Sequence, residues 1–319
     1  MEQHPLGFLP YEPLRNNEIR LLHVEPGVSK RISIQLSNVN LDTQPAFWAL
    51  SYVWGPSENP AVVTINGIPF SVTRNLYHAL VEYRRQFSEN NGKTANSFLW
   101  VDAICLNQSD HIEKSIQVPR MSLIYGRCER VLAWLGPVED DDMADVHHLA
   151  DKLKIFEAPA DSGHQSTAED DRITSFRKSA YSDPKAAAVV ESVRRALRSI
   201  GRRPWFRRIW ILQEAVLAQR QPLLLCGQFD LGYEIFFKTW VMMLDPSHDG
   251  QLLHTFATTN PVRFKAIEVV YGKILSDRRS RIQENAIPQV DEQRQCAIEV
   301  LELLNETTEL EATVLNKLS

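Results

Sequence analysis

Three carboxylates or polar clusters in this chain interrupt apolar stretches, and each could do chemistry. Asp102 stands inside Leu99–Gln108, where seven positions are apolar and Asn107 and Gln108 close the segment. An ionised carboxylate in such a run costs about several kcal/mol unless it is paired or hydrogen-bonded. The segment therefore reads as a buried strand, Phe98 to Ile104, whose C-terminal end carries polar groups where α/β sheets place ligands. Asp102, Asn107 and Gln108 could bind ribose or phosphate there; alternatively Asp102 accepts backbone N–H groups and ties the sheet together. Ser51, Tyr52, Trp54 and Gly55 end a second apolar run that begins at Phe47 and stops at Gly55-Pro56. Trp54 offers a face on which a nicotinamide or adenine ring could stack, and Gly55 permits a tight turn or a close backbone approach. Core packing under a turn explains the same letters. Ser51 lacks the turn that exposes a hydrolase nucleophile, which argues against a serine hydrolase.

Glu214 is the third. Trp210, Ile211 and Leu217 make one face of its helix apolar, and Arg207 and Arg208 precede it by seven and six residues. A carboxylate at a pocket wall can hold the hydroxyls of a ribose and stabilise the positive charge of a breaking glycosidic bond. An ion pair to a neighbouring arginine is the plainer alternative, and Arg208 could instead meet a pyrophosphate. Cys105 has only His111 nearby and no protease signature around it, so it reads as a buried structural thiol. Asp140-Asp141-Asp142 and His147-His148 have metal-ligand letters, but an acidic helix start has them too.

These residues need elements to hold them. Ile19–Val24 and Ile32–Leu36 are short strand candidates, and the latter alternates with period two. Val62–Thr64 and Pro69–Val72 flank Asn66-Gly67, a strong hairpin signal. Thr73 caps a helix through Phe87, Ser88 to Ser97 is a polar loop, and Ser109 or Asp110 caps a helix to Arg127 that Pro119 can kink. Val131–Leu135 and Leu223–Cys226 are further buried strands. Residues 137–184 are acidic and poor in large apolar side chains, so they are expected to be a partly mobile insertion. Helices are expected at Ala186–Ile200 and Trp205–Ala218, and Cys296–Leu318 is amphipathic. Strands and helices alternating between 46 and 136 predict an α/β fold with a mostly parallel sheet flanked by helices. The expected organisation is an N-terminal β extension over 1–45, a central domain over 46–227 and a mainly helical region over 228–319.

The chain has 319 residues, 44% of them hydrophobic, enough for a sizeable core. Its 35 basic and 40 acidic residues give a net charge of -5, with no pull toward nucleic acid or an anionic membrane. The four cysteines are scattered without a CxxC pair, against a zinc site or a disulfide framework. With no membrane span and no signal peptide in view at Met1, a cytoplasmic location is the expectation.

Three blocks, Ala49 to Gly55, Leu99 to Gln108, and Gln117-Val118 followed by Met121, Ile124-Tyr125 and Val131 to Gly136, precede a fourth, Pro204 to Glu214. In this order they closely resemble the fungal heterokaryon-incompatibility (HET) domain over about residues 46 to 227. One departure is Glu113-Lys114, where an acidic residue followed by arginine is common. The resemblance implies non-self recognition ending in programmed cell death, and a distant relation to TIR domains, which have a flavodoxin-like fold and often cleave NAD. Trp210 and Glu214 match the W-x-x-x-E context of the TIR catalytic glutamate, so Glu214 takes that role by resemblance, with NAD as substrate rather than cofactor. Self-association, or a partner in incompatibility or immune signalling, is implied as well. A non-catalytic module acting through homotypic or partner contacts is the alternative.

Overall fold

In Phe47–Tyr52 (β3) every residue is buried, and a strand without a solvent face belongs in the middle of a sheet covered on both sides. A computed structural model, which describes residues 9–243 apart from 28, 89–97, 160–164, 209–213 and 215–219, places it there. β3 pairs in parallel with Phe98–Trp100 (β6) on one side and Arg130–Trp134 (β7) on the other, and β7 pairs in parallel with Leu223–Cys226 (β8). Glu18–Val24 (β1) and Ser33–Asn40 (β2) join antiparallel to each other, and β1 attaches to β6 at Leu22↔Leu99. Ala61–Ile65 (β4) and Ile68–Val72 (β5) extend that side, while Phe229–Asp230 (β9) closes the other. Among the described residues the order is β5-β4-β2-β1-β6-β3-β7-β8-β9. A parallel centre is thus flanked by antiparallel strands at both ends. The N-terminal β extension is part of the one sheet.

The parallel strands run β6-β3-β7-β8, the 2-1-3-4 order of a doubly wound sheet, whose chain direction reverses between β3 and β7. Arg74–Tyr83 (α1) lies between β5 and β6, with Thr73 Oγ1 accepting from Leu76 N as its cap. Asp102–Cys105 (α2), His111–Gln117 (α3) and Met121–Arg127 (α4) lie between β6 and β7, with a 3-10 turn at Val118–Arg120 placing Pro119 where the helix breaks. Met143–Glu157 (α5), Gln165–Ser179 (α6) and Pro184–Gly201 (α7) precede β8, and Tyr233–Met243 (α8) follows β9. Alternation along β7 and β8 sends Leu132, Trp134, Leu223 and Leu225 into one core. Ala133, Leu135, Leu224 and Cys226 enter a second, which α5, α7 and α8 cover.

Two expectations change. The strand expected through Ile104 ends at Trp100, because Asp102 starts a helical turn instead of lying within the strand. Residues 137–184, expected to be a partly mobile insertion, carry α5 and α6, and α5 buries Val146, Leu149, Ala150, Leu153 and Phe156 at helical spacing. Acidic residues on the outer face hid that stripe. The expected loop at 89–97, most of the helix at 205–218 and the amphipathic segment Cys296–Leu318 lie outside the described residues. Among those described, no helix is long and apolar enough to cross a membrane.

Candidate active site

β3 presents alternate residues to opposite faces. Trp48 packs edge-on to Tyr83 and Phe87 beside α1, with ring centroids 6.3 and 4.8 Å away. Ser51 faces the other way, where the 3-10 turn Pro204–Arg207 carries Trp205 into the second core. A buried hydroxyl in a central strand must find partners, and Ser51, 1% exposed, finds two. Trp205 Nε1 donates to its Oγ at 2.9 Å, and Ser51 Oγ donates to Glu214 Oε2 across 163 residues of chain. Arg208 completes the group, with Nη2 at 3.2 Å from Oε1 and Nη1 at 3.4 Å from Oε2. Glu214 is itself 1% exposed, whereas the Arg208 side chain is 22% exposed.

Around the end of β3 stands a second group. Trp54, 43% exposed, donates its Nε1 hydrogen to Asp102 Oδ2 at 2.8 Å, and Ala103 N donates to Oδ1 at 2.7 Å. The Tyr52 ring is buried beside Asp102. Gln108 Nε2 donates to the Asp102 carbonyl at 2.9 Å and so braces the α2 turn. Asn107 turns away: its Oδ1 accepts from Ser109, and its backbone N–H goes to Glu113 Oε1 at 2.8 Å. The geometry thus gathers Glu214, Arg208, Asp102, Tyr52 and Trp54, sets Gln108 at the margin and leaves Asn107 in its own loop.

The electrostatics follow from burial. Desolvation pushes Glu214 above the ordinary carboxylate value, Arg208 and the Ser51 hydroxyl pull it back, and Asp102 raises it again. Asp102 is raised by burial too, against the Trp54 and Ala103 donors and Arg208. Burial and then the Asp102 charge push the Tyr52 phenol well up. Tyr125, whose hydroxyl donates to Leu50 O at 3.2 Å, is raised in the same way, with Glu214 the next contributor. Two carboxylates sharing one partly exposed guanidinium are a site poised to accept hydrogen bonds or to stabilise a cation.

Glycines frame the mouth. Gly55 after β3 has φ +75° and Gly136 after β7 has φ +100°, so both turns use backbone conformations that side chains resist. Both lie at the C-terminal ends of the two strands flanking the reversal in chain direction, where open α/β sheets bind ligands. Asn75 locks the two ends together, donating to Val53 O at 2.6 Å and accepting from Trp134 Nε1 at 2.9 Å. Arg203 Nη1 donates to Leu135 O and Pro137 O at 3.1 and 2.7 Å.

Sequence reasoning weighed Ser51 only as a hydrolase nucleophile and Arg203 only as part of a basic cluster, and it missed Trp205 and Asn75 as site residues. The signal for Ser51 was present, since it is the one hydroxyl interrupting β3 before Tyr52. Cys105 receives Val101 N–H on its sulfur at 3.3 Å, and burial pushes its thiol up to about 12, which suits a structural role. Asp142 accepts from Ser199 and His147 lies 3.2 Å from Asp151. Among the described residues no three metal-ligating side chains converge. Arg207 closes the 3-10 turn, and Trp210 lies outside the described residues. The Glu113 position, unusual in its following lysine, takes its arginine from β1: Arg20 Nη1 and Nη2 reach its two oxygens at 2.6 and 2.9 Å.

The family described as "Heterokaryon incompatibility protein (HET)" matches residues 47–214, from the first residue of β3 to the site carboxylate. "Heterokaryon incompatibility protein 6, OR allele" of Neurospora crassa is 28% identical over 238 residues, covering 66% of this chain and 33% of that protein. The chain therefore spans about a third of the length of the curated relative it matches. No solved structure matches.

Proposed function

The chain belongs to the heterokaryon-incompatibility (HET) family, and on that footing we propose that it acts in heterokaryon incompatibility by hydrolysing the nicotinamide–ribose bond of NAD. Glu214 is the catalytic carboxylate in this reading. The observation that carries it is the convergence of Glu214 on the C-terminal ends of β3 and β6, next to Asp102, Tyr52 and Trp54. Cleavage breaks the bond between C1′ and the pyridinium nitrogen, whose electron pair neutralises the departing nicotinamide. The ribose is left oxocarbenium-like until water adds at C1′ and loses a proton. Glu214 supplies the fixed negative charge this transition state needs and accepts a ribose hydroxyl. Trp54 supplies a stacking face held by Asp102, Gly55 lets the backbone approach, and Arg208 swings from Glu214 toward the pyrophosphate. A TIR-like ancestry, self-association that opens the site, cytoplasmic action, an incompatibility or immune-receptor partner and a death outcome fit the same reading.

Purified protein incubated with NAD should release nicotinamide, and Glu214→Gln should lower the rate by about 100-fold or more, the scale of one lost electrostatic stabiliser. Activity surviving that substitution removes Glu214 from the role, and no release in any assembly state removes the enzyme. A second reading, a signalling module working by contact alone, draws on α3, which exposes Ile112 and Ile116 one turn apart at 74% and 55%. In that case Ile112→Glu would abolish signalling while Glu214→Gln left it intact.

A further inference from the structure

Among the described residues, every side chain hydrogen-bonded to the Glu214 carboxylate is a donor. An indole N–H can only donate, so Trp205 obliges Ser51 Oγ to act as acceptor toward the ring. The single hydroxyl hydrogen of Ser51 is then left for Glu214 Oε2. Arg208 offers donors as well and no acceptor. A protonated carboxyl would waste one of these bonds, so the arrangement is built for the anion in a place where burial opposes it.

The two holders of Glu214 are unequal. The serine bond is fully buried, and its direction is set by a tryptophan that is 2% exposed. The guanidinium contacts are long, at 3.2 and 3.4 Å, and belong to a side chain that is 22% exposed. Of the two, the guanidinium is the more accessible, and it is the holder that reaches Oε1.

We propose that Trp205 and Ser51 form a two-bond relay that positions Glu214 as a fixed anionic acceptor, with Oε2 held by the protein and Oε1 presented to the substrate's ribose hydroxyl. The inference rests on the reading of Glu214 as the carboxylate of NAD cleavage. Ser51 and Trp205 are positioning residues in it, since both act through Glu214. Among the described residues, the charged and titratable groups facing that carboxylate are Arg208 from the preceding turn, Asp102 from the start of α2 and Tyr125 from α4. All three are kept in the test variants.

The test follows the Glu214 side-chain carboxyl by carbon-13 NMR across pH in full-length protein labelled at glutamate, its resonance identified by its loss in Glu214→Gln. Ser51→Ala should raise the titration midpoint by about one to two pH units, the worth of a hydrogen bond to a charged group. Trp205→Phe, which keeps the ring packing and removes only the N–H, should move it the same way by less. The acid limb of nicotinamide release should shift with the midpoint, while KM for NAD changes by less than about threefold, since Ser51 is not expected to touch substrate. A folded Ser51→Ala protein with its midpoint within about 0.3 units of wild type overturns the relay. If Ser51→Ala does not fold, an unchanged midpoint in Trp205→Phe overturns it instead. Wild-type protein that releases no nicotinamide defeats the NAD reading, while the titration still decides the relay.

Discussion

Trp54 is the residue whose setting most departs from what packing alone requires. It is 43% exposed, yet its one polar atom is tied at 2.8 Å to a carboxylate that a backbone N–H also holds. A large, partly exposed aromatic face held rigid at the end of a strand costs little further entropy when a planar ring stacks on it. Trp54→Ala should therefore raise KM for NAD by about tenfold, the worth of one stacking contact. It should lower the urea unfolding free energy by about 1–3 kcal/mol, the worth of the donor that Asp102 loses. Steady-state kinetics beside equilibrium unfolding checks both, and a larger stability loss with unchanged KM would assign Trp54 to the fold. At this scale the site was half legible. Asp102 was conspicuous as a charge in an apolar stretch, and Glu214 with Arg208 as a charged pair within two helical turns. The contact of Ser51 with Glu214 was not, because nothing local ties positions 163 apart; only the sheet brings them together.

At the scale of elements, α3 is held to β1 by the Arg20–Glu113 pair, with side chains 2% and 11% exposed. Arg20 also donates to Cys105 O at 3.0 Å and Glu12 O at 2.8 Å, and its guanidinium lies 4.6 Å from the centre of the Tyr11 ring. Breaking such a pair strands a buried charge, so Glu113→Ala should destabilise the protein by about 3–5 kcal/mol. Replacing both partners by Arg20→Met and Glu113→Leu should cost less than the single change, which a double-mutant cycle in urea measures. Equal losses would show that the pair's charge is already solvated. Elements with their own local chemistry were readable in advance. Asn66 and Gly67, at φ +49° and +83°, make the expected hairpin turn, and Asp110 caps α3 by accepting from Ile112 N and Glu113 N. Elements defined by tertiary context were not. β6 is three residues long because Asp102 prefers to open a helical turn with its side chain on Ala103 N. α5 exists because its stripe meets α7 and the Phe156 ring meets Phe176 at 5.5 Å.

Across the whole molecule, the parallel order β6-β3-β7-β8 brings two buried carboxylates close to the C-terminal ends of its strands, where apolar residues could have stood. Putting charge where the fold could have placed core should cost stability, and pH can expose that cost. Burial raises Glu214 in the folded protein above its ordinary 4.5, so folding takes up a proton at this residue. The contribution of Glu214 to stability is then greatest below 4.5 and is lost as pH rises through the folded value. Glu214→Gln removes this titration. It also leaves Arg208 without its partner, but arginine stays charged throughout, so that penalty is constant with pH. Asp102 is coupled to Glu214 by repulsion, and its relief in the variant acts in the same direction. Asp145, which Arg195 holds below the ordinary range, loses its contribution as pH falls through its folded value in both proteins and cancels. The unfolding free energy of wild type relative to Glu214→Gln should therefore decline as pH is raised from 4.5 through the folded value and level off above it, as followed by urea titration at each pH. A difference that stays flat over that range would mean that Glu214 is as well solvated in the folded chain as in the unfolded one. The buried carboxylate on which the site is built would then carry no desolvation cost.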